Sequence, residues 1–526
     1  MMKLGIDVGG TNTDVVIVGN EGKMLSWKKQ LTSKNIISGI ETATRAVIQE
    51  ARIVPEQIEG IFIGTTHVQN ALYHPVQLSK TAVIRIMKSP SHVKPALFWP
   101  EHLKRYIGKV YHLQHFYDDS KQTLVPQELD NLYQNLIEEN IEAICIAAVN
   151  SPLNPQEEFY LRDQLKNVFP EMPITMSHEL GSFGFIEREN AALLNAILSK
   201  VIRQAMMELT DLFRKLKLNC PCWLTQNDGS LIELHESIDY PIFTIGSGAT
   251  NSFRGASILS GLRECIVVDF GGSTIEIGKI RNGQPESAES STSFLNIDVN
   301  LRVPKMYSLP IGGGSLISMD NGVVQIKETI ANDLEHQGIS WGGDSWTITD
   351  SFLKVNPEMF ADEKMTLNGL GKLSYEDCQL VIKKVTQEIK EKVARLEVNS
   401  DGLPVVLVGG GSKLLVNRLF GKYKRVYHPL YHHISNAIGA CYAPLSAQTD
   451  KVFWLMNQTK EEILEQEKGK LFQQLRRKGA KEDSIKVDLI EEFPFDYFKG
   501  EVLRIRMKAI GDLQITPAGD GSYLKI

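Results

Sequence analysis

Residues 4–17 read LGIDVGGTNTDVVI, and residues 266–279 read IVVDFGGSTIEIGK. Each is an apolar run ending in an aspartate, then a Gly-Gly pair, hydroxyl and amide residues, an acidic residue and renewed apolar alternation. That pattern on both sides of the glycines predicts a β-hairpin. Gly9-Gly10 and Gly271-Gly272 lack a β-carbon and tolerate positive φ, so a bulky ligand can approach the backbone. Thr11, Asn12 and Thr13 in the first copy, and Ser273 and Thr274 in the second, offer N–H groups and hydroxyls to an anion. Asp7 and Asp269, at the strand ends, direct carboxylates toward the same space. Carboxylate plus phosphate oxygens, with waters retained, is the ligand set Mg2+ prefers. The two aspartates stand 262 positions apart, half of the 526-residue chain. A unit repeated at that distance predicts two similar lobes facing each other.

Further glycine runs surround this repeat. PVVLVGGGSKLLV at 404–416 combines a buried-type strand, Gly409-Gly410-Gly411 and a helix start, an arrangement that lets a helix N-terminus receive a nucleotide. Gly312-Gly313-Gly314-Ser315 forms another such run. No G-x-x-x-x-G-K-[ST] occurs, which excludes a P-loop enzyme. Gly246-Ser247-Gly248-Ala249-Thr250 lacks the third glycine and the strand context of a dinucleotide fingerprint. Residues 190–215 and 434–445 place apolar and small residues at helical spacing, predicting two helices able to approach neighbours closely.

Composition narrows the function classes. Hydrophobic residues at 42% and charged residues at 23% exclude a disordered or fibrous chain. Lys+Arg 57 against Asp+Glu 63 gives a net charge of −6 and no basic footprint for nucleic acid. No window approaches about 18 consecutive apolar residues, so no membrane span is expected. The N-terminus reaches a glycine-rich turn before a signal-peptide core could form, and a cytoplasmic protein is expected. Six cysteines are too sparse for a disulfide framework, and Cys220 and Cys222 lack the second close pair a zinc site needs.

In chain order the motifs are hairpin, small-residue helix, second hairpin, triple-glycine turn and small-residue helix. This series resembles the phosphate, connect and adenosine elements of the actin-like ATPases. Within that superfamily the chain is similar to the A subunit of the hydantoinase/oxoprolinase family. The resemblance rests on GIDVGGTNTD at 5–14, GTTHVQNAL at 64–72, SPLNPQEE at 151–158 and SHEL at 177–180. It continues through ERENAALLNA at 187–196, TQNDGSLI at 225–232, SGATNSFRGA at 247–256 and VVDFGGSTIEIG at 267–278. IGGGS at 311–315, GGDSWTITD at 342–350, VGGGSKLL at 408–415 and SNAIGA at 435–440 complete it.

The resemblance implies an α/β fold of two actin-like (ribonuclease H-like) lobes closing on Mg-ATP. It implies ATP-dependent phosphorylation of the carbonyl oxygen of a cyclic amide, such as a hydantoin, a lactam or 5-oxoproline. A separate B-type subunit then completes hydrolysis, while relatives use the same activation to carboxylate ketones. Self-association is compatible with this pattern. The implied division is 1–180, 181–450 and a small C-terminal α/β module from 451 to 526. Two departures stand out. Glu276 occupies a position where the family commonly has aspartate, and RIMKSPSHVKPALFWPEHL at 85–103 loses the family pattern in a region that lies near substrate.

Phosphoryl transfer demands positioning and charge neutralisation. On that basis Asp7 and Asp269 are assigned as catalytic carboxylates and Mg2+ or water ligands. Gly9 to Thr13 and Gly271 to Thr274 form the phosphate cradle, and Gly409, Gly410 and Gly411 flank the adenosine. Glu179, after the β-like stretch ITMSHE, is assigned as a base or substrate-orienting acid, with a solvated loop acid as the other reading. Thr65, Thr66 and Asn70, on a strand-to-helix turn, face substrate or phosphate or cap the helix. Asp14 bonds across its hairpin or acts as a second carboxylate. His428, His432 and His433 read as a surface loop, and Asn436 as a cap or packing residue.

Overall fold

The computed structural model describes residues 2–10, 12–31, 36–73, 75–114, 117–118, 121–122, 126–181, 183–287, 292–320, 323–330, 334–359, 365, 367–397, 402–416, 425–455, 458–495 and 502–515. Two sheets repeat one plan. In the first, Met2–Val8 pairs antiparallel with Asn12–Val18, which pairs antiparallel with Met24–Leu31. Ile58–Thr65 lies parallel on the other flank of Met2–Val8. In the second, Cys265–Phe270 pairs antiparallel with Ile275–Arg281, which pairs antiparallel with Met306–Leu309, while Val405–Val408 runs parallel beside Cys265–Phe270. The chain is α/β with two ribonuclease H-like lobes, as its motif order implies.

The central strands are buried on both faces, and their near-continuous apolar sequence reflects that. In the first lobe Leu4, Ile6, Val15 and Ile17 share a core with Ile40 and Val47 of helix Ile36–Ala51. The same core takes in the 31-residue helix Phe185–Lys215, which contains the predicted 190–215 stretch. In the second lobe Val268, Phe270, Ile275 and Ile277 pack on helices Ile348–Val355 and Tyr375–Glu397. Val381, Val385, Ile389 and Val393 recur every four residues along the latter and give it one apolar stripe.

The second small-residue helix is shorter than its sequence pattern. It spans Ser435–Ala440, and Leu445 already opens the strand Leu445–Trp454. Pro444 explains the stop, since proline has no N–H and disfavours helical backbone in the residue before it. Its crossing partner is helix Ser247–Ser260. Gly255 sits on the Ser435 backbone and Gly439 on the Asn251 carbonyl, and a β-carbon at either would overlap the other helix.

Beside the first lobe, Ile174–Met176, Ala143–Ala148, Thr81–Ile86 and Ile107–Leu113 form a separate four-stranded sheet. The C-terminal strands Lys486–Pro494 and Val502–Gly511 pair with each other. Val502–Gly511 also pairs with Leu445–Trp454, so these strands extend the sheet of the first hairpin to nine members. The charged stretch before them folds as helix Lys460–Arg477, whose N-terminus Thr459 and Glu462 close with a reciprocal capping box. Among the described residues no helix is long and apolar enough to cross a membrane.

Candidate nucleotide and phosphate site

The two hairpins close identically. Gly9 N donates to Asn12 O at 2.9 Å, and Gly271 N donates to Thr274 O at 3.0 Å. None of Gly9, Gly10, Gly271 or Gly272 takes positive φ, contrary to expectation. Their value is the missing side chain: a β-carbon at Gly9 would lie 3.0 Å from Asn12 O, and one at Gly271 would lie 3.1 Å from Thr274 O. Thr11 lies outside the described residues. Asn12, Ser273 and Thr274 remain partly accessible, whereas Thr13 is fully buried in the hairpin.

Cross-strand register pairs Asp7 with Asp14 and Asp269 with Glu276. These four carboxylates form one electrostatic cluster spanning both lobes. Burial, then Asp14 beside it and Asp269 across the cleft, lifts the Asp7 carboxyl to about 7. Burial, with Asp269 and Asp7, lifts Glu276 to about 8. Burial likewise raises Asp269, against a hydrogen bond from Ser252, and raises Asp14, against Lys29. Lys29 faces Asp14 from the third strand and reaches both its oxygens at 2.8 Å. The second lobe places Ser308 opposite Glu276 at the matching position, so this carboxylate lacks the lysine of its counterpart.

Asp7 is 5% exposed. Asn436 Nδ2 donates to its Oδ2 at 3.2 Å, while Oδ1 is buried with no hydrogen-bond partner. An orphaned buried carboxylate oxygen in a cluster of excess negative charge fits a divalent cation. Among the described residues no three carboxylate, thiol or imidazole groups converge as a ready metal cage. The fit is therefore to a metal held by one or two carboxylates, water and phosphate oxygens, the habit of Mg2+.

The remaining glycine runs buttress these turns. Gly313 N donates to Gly271 O at 3.0 Å and Gly314 N to Gly272 O at 2.8 Å. Thr349 holds Gly313 in turn, its N and Oγ1 donating to Gly313 O at 3.0 and 2.9 Å. Asp350 anchors that segment by accepting from the N–H and hydroxyl of both Ser340 and Thr347. Gly409 adopts φ +91°, and a β-carbon there would collide with Asp269 Oδ1. Gly411 N donates to Phe270 O at 2.8 Å, which lays the Gly409-Gly410-Gly411 turn directly beside the second hairpin. The described backbone after it turns through a short 3-10 segment, Ser412–Leu415, and Val416 takes helical backbone.

The histidines are not a surface loop. Ser412 Oγ lies 3.0 Å from His428 Nε2 and 2.8 Å from His432 Nδ1. Gly409 N donates to the buried His432 carbonyl at 2.9 Å. Burial and the neighbouring His432 push His428 down to about 4, so this ring is neutral and locks the glycine turn rather than carrying charge. At the first hairpin Thr66 N and Oγ1 both donate to Val8 O, and Asn70 Nδ2 bonds Thr66 Oγ1. Thr65 Oγ1 caps the following helix by accepting from His67 N. The structure thus brings together Asp7, Asp269, both Gly-Gly turns and Gly409–Gly411. Glu179 stands elsewhere, in the short helix Ser177–Leu180, bonded to Tyr240. Asn436, expected as a cap or packing residue, instead bonds Asp7; Ser252, Lys29 and Ser412 were not singled out by the sequence, and only the SGATNSFRGA motif signalled the first of these.

The family model described as hydantoinase/oxoprolinase N-terminal region matches residues 3–169, and that described as hydantoinase/oxoprolinase matches residues 188–449. The chain belongs to the hydantoinase/oxoprolinase family. It is 23% identical over 356 residues to caprolactamase subunit alpha of Pseudomonas jessenii, covering 62% of this chain and 50% of that protein. It is 22% identical over 402 residues to the acetone carboxylase beta subunit of Xanthobacter autotrophicus, covering 68% of this chain and 55% of that protein. The chain thus spans little more than half the length of these curated relatives. The solved ATP-dependent caprolactamase from Pseudomonas jessenii superposes with a TM-score of 0.72 at 18% identity. Nucleotide-free acetone carboxylase superposes at 0.70 and 16%. Each superposition covers 98% of this chain and 88% of the other, and establishes the shared fold.

Proposed function

We propose that this chain is an ATP-using subunit that activates a cyclic amide by phosphorylating its carbonyl oxygen, and that a B-type partner subunit completes ring opening. The observation carrying the reading is the pair of Gly-Gly hairpins whose buried carboxylates, Asp7 and Asp269, face one another beside the Gly409–Gly411 turn. Backbone N–H groups of the two turns would receive the β- and γ-phosphates, and the Gly409–Gly411 turn the adenosine. A bound Mg2+ would supply charge neutralisation for the phosphates and lower the energy of the transferring group.

The chain's own residues do the rest. Asp7 and Asp269 would hold that ion or its waters, one from each lobe, so lobe closure completes the site. Asn436 steadies Asp7 through Oδ2 and leaves Oδ1 open. Lys29 neutralises Asp14 and keeps it out of competition for the ion. The likeness to the alpha subunit of a caprolactamase supports an amide as substrate. The likeness to a subunit of acetone carboxylase supports a ketone as the second reading.

The test is Mg-dependent ATP hydrolysis by the purified chain, with and without a B-type partner, across hydantoins, lactams, 5-oxoproline and ketones. Stimulation by an amide is the expected result. Stimulation only by ketones with bicarbonate selects the second reading, and absence of ATP binding and hydrolysis under all conditions rejects both.

A further inference from the structure

Two motifs of the chain meet away from both hairpins. TQNDGSLI at 225–232 turns the chain between strands Cys222–Thr225 and Leu231–Glu233, and SGATNSFRGA at 247–256 opens helix Ser247–Ser260. Arg254 of the second reaches the first: its Nη2 donates to Gly229 O at 2.6 Å and to Gln284 Oε1 at 3.2 Å. Gly229 takes φ +81°, and a β-carbon there would lie 2.6 Å from that nitrogen. Gly229 lies in a turn of the first hairpin's sheet and Gln284 on a strand of the second's, so Arg254 stands at the junction of the lobes. Ser252, two residues earlier, bonds Asp269. Two positions turn a helix by about 200°, which sets Arg254 on the side facing away from the nucleotide cluster.

Cations outnumber their partners here. Asp228 accepts from Ser230 N and Oγ at 2.9 and 2.6 Å, and from Lys508 at 2.9 Å. Burial would raise its carboxyl, but Lys508 and Ser230 hold it at about 2. That single carboxylate is in electrostatic contact with three cations, Lys508, Arg254 and Arg302. Arg302 also pairs with Glu491 at 3.1 Å, an acid that Arg506 shares at 3.2 Å. Asp450, within electrostatic reach of Arg302, is taken by Arg504 and Arg506 at 2.7 and 3.0 Å. The other acid acting on Arg254 is Asp488, exposed on strand Lys486–Pro494.

The shortfall shows as unmet donors. Arg254 Nε and Nη1, Arg302 Nη1 and Asn227 Nδ2 are buried without a hydrogen-bond partner. Arg254 and Asn227 are 2% and 4% exposed. Burial pushes the Arg254 guanidinium down to about 10, against the pull of Asp228 and Asp488. An unmet buried donor is costly, more so when charged, and calls for an ion, a ligand or water. Water meets the donors but brings no countercharge. The four atoms come from three elements: helix Ser247–Ser260, the turn before Leu231–Glu233, and the segment between Ile297–Val299 and Met306–Leu309. Asp228 marks their common neighbourhood, next to Asn227 in the chain and in electrostatic contact with both arginines. All four are donors, so their complement is an acceptor with negative charge and oxygens facing several directions. A tetrahedral oxyanion has that form, whereas a carboxylate presents its oxygens in one plane.

We propose that the lobe junction holds an anion site separate from the hairpins, in which Arg254, Arg302 and Asn227 take a phosphate-type oxyanion. The two arginines supply the charge, and Asn227 adds a neutral donor from a third direction. Arg254 already ties Gly229 to Gln284, so an occupied site fastens the lobes to each other on the helix side opposite the nucleotide. Free phosphate and the phosphate of a monoester share the required chemistry. The inference stands apart from the proposed function, since it asks nothing of what the chain does with ATP.

The experiment is calorimetric titration of inorganic phosphate, and separately of glycerol 3-phosphate and acetate, into the full-length protein. Saturating Mg2+ and a non-hydrolysable ATP analogue keep the added anions out of the hairpins. Saturable one-to-one binding of phosphate is expected, with acetate weaker by about tenfold or more. Arg254→Gln and Arg302→Gln should each weaken phosphate binding by about tenfold or more, the loss of a charge-assisted hydrogen bond. Arg302 is the more accessible of the two, at 14% side-chain exposure, so Arg302→Gln carries the test where Arg254→Gln fails to fold. Either result with glycerol 3-phosphate supports the site and names its source, equal affinity a monoester and rejection the free ion. In hydrogen exchange, phosphate should slow the amides around Gly229 and around Gln284 together, and protection of one side alone would overturn the fastening of the lobes. No saturable phosphate binding, an affinity unchanged in both variants, or acetate bound as tightly as phosphate overturns the proposal. Should the analogue itself not bind, the proposed function fails, while dependence of phosphate binding on Arg254 and Arg302 still decides this site.

Discussion

At the residue scale, Asp7 joins the two halves of the site. It sits beside Asp14, receives Asn436 from the second small-residue helix and interacts with Asp269 across the cleft. Its Oδ1 is buried without a partner, a cost a protein accepts where a ligand will repay it. Asp7→Asn should therefore lower ATP turnover by about 100-fold or more, as expected where a charge-stabilising group is lost. It should also leave the ligand-free protein as stable or more so, since a buried uncompensated charge has gone; turnover assays and thermal melts on one preparation check both. Asn436→Ala removes the donor that favours ionised Asp7. The acid limb of the pH–activity profile should then move to higher pH, and an unchanged profile would show that Asn436 only packs.

At the element scale, the glycines divide into two kinds. Gly255 and Gly439 permit the crossing of helices Ser247–Ser260 and Ser435–Ala440, which links the lobes. Gly312 and Gly313 support the second hairpin turn, and a β-carbon at Gly312 would lie 2.6 Å from Gly272 O. Gly312→Ala should displace that turn and destabilise the protein by about 1–3 kcal/mol, the range for overpacking. Denaturant unfolding reads the stability, and ATP affinity should fall in parallel. Much of this level was legible in the sequence. The D-x-G-G repeat gave both hairpins, because strand alternation and turn glycines are local signals. The crossing partner of Ser435–Ala440 was not legible, since small residues also line the 190–215 helix and only tertiary contact distinguishes the two. The histidines misled for the same reason: their burial comes from Ser412 and Gly409, distant in sequence. Asn436 looked like a cap because side-chain amides cap helices in many proteins, and nothing local marks a carboxylate arriving from another strand.

At the scale of the whole molecule, two lobes bring like charges together and leave them short of cations. Asp7 and Glu276, raised to about 7 and about 8, have folded values above their unfolded ones. For such acids the stabilising contribution is fully present below the unfolded value near pH 4 and is lost as pH rises through the folded values. The ligand-free protein should accordingly lose thermal stability from this cluster between about pH 4 and pH 8. Mg-ATP should restore it most at the upper end, where the carboxylates are ionised, and melts with and without Mg-ATP across that range test the sign. The measurement that bears most directly on the central claim is calorimetric titration of ATP, with and without Mg2+, into the wild type, Asp7→Asn and Asp269→Asn. Mg-dependent binding in the wild type, weakened by either substitution although the residues lie in different lobes, is the predicted result. Binding absent from the wild type, or unchanged in both variants, would contradict a nucleotide site built between the two hairpins.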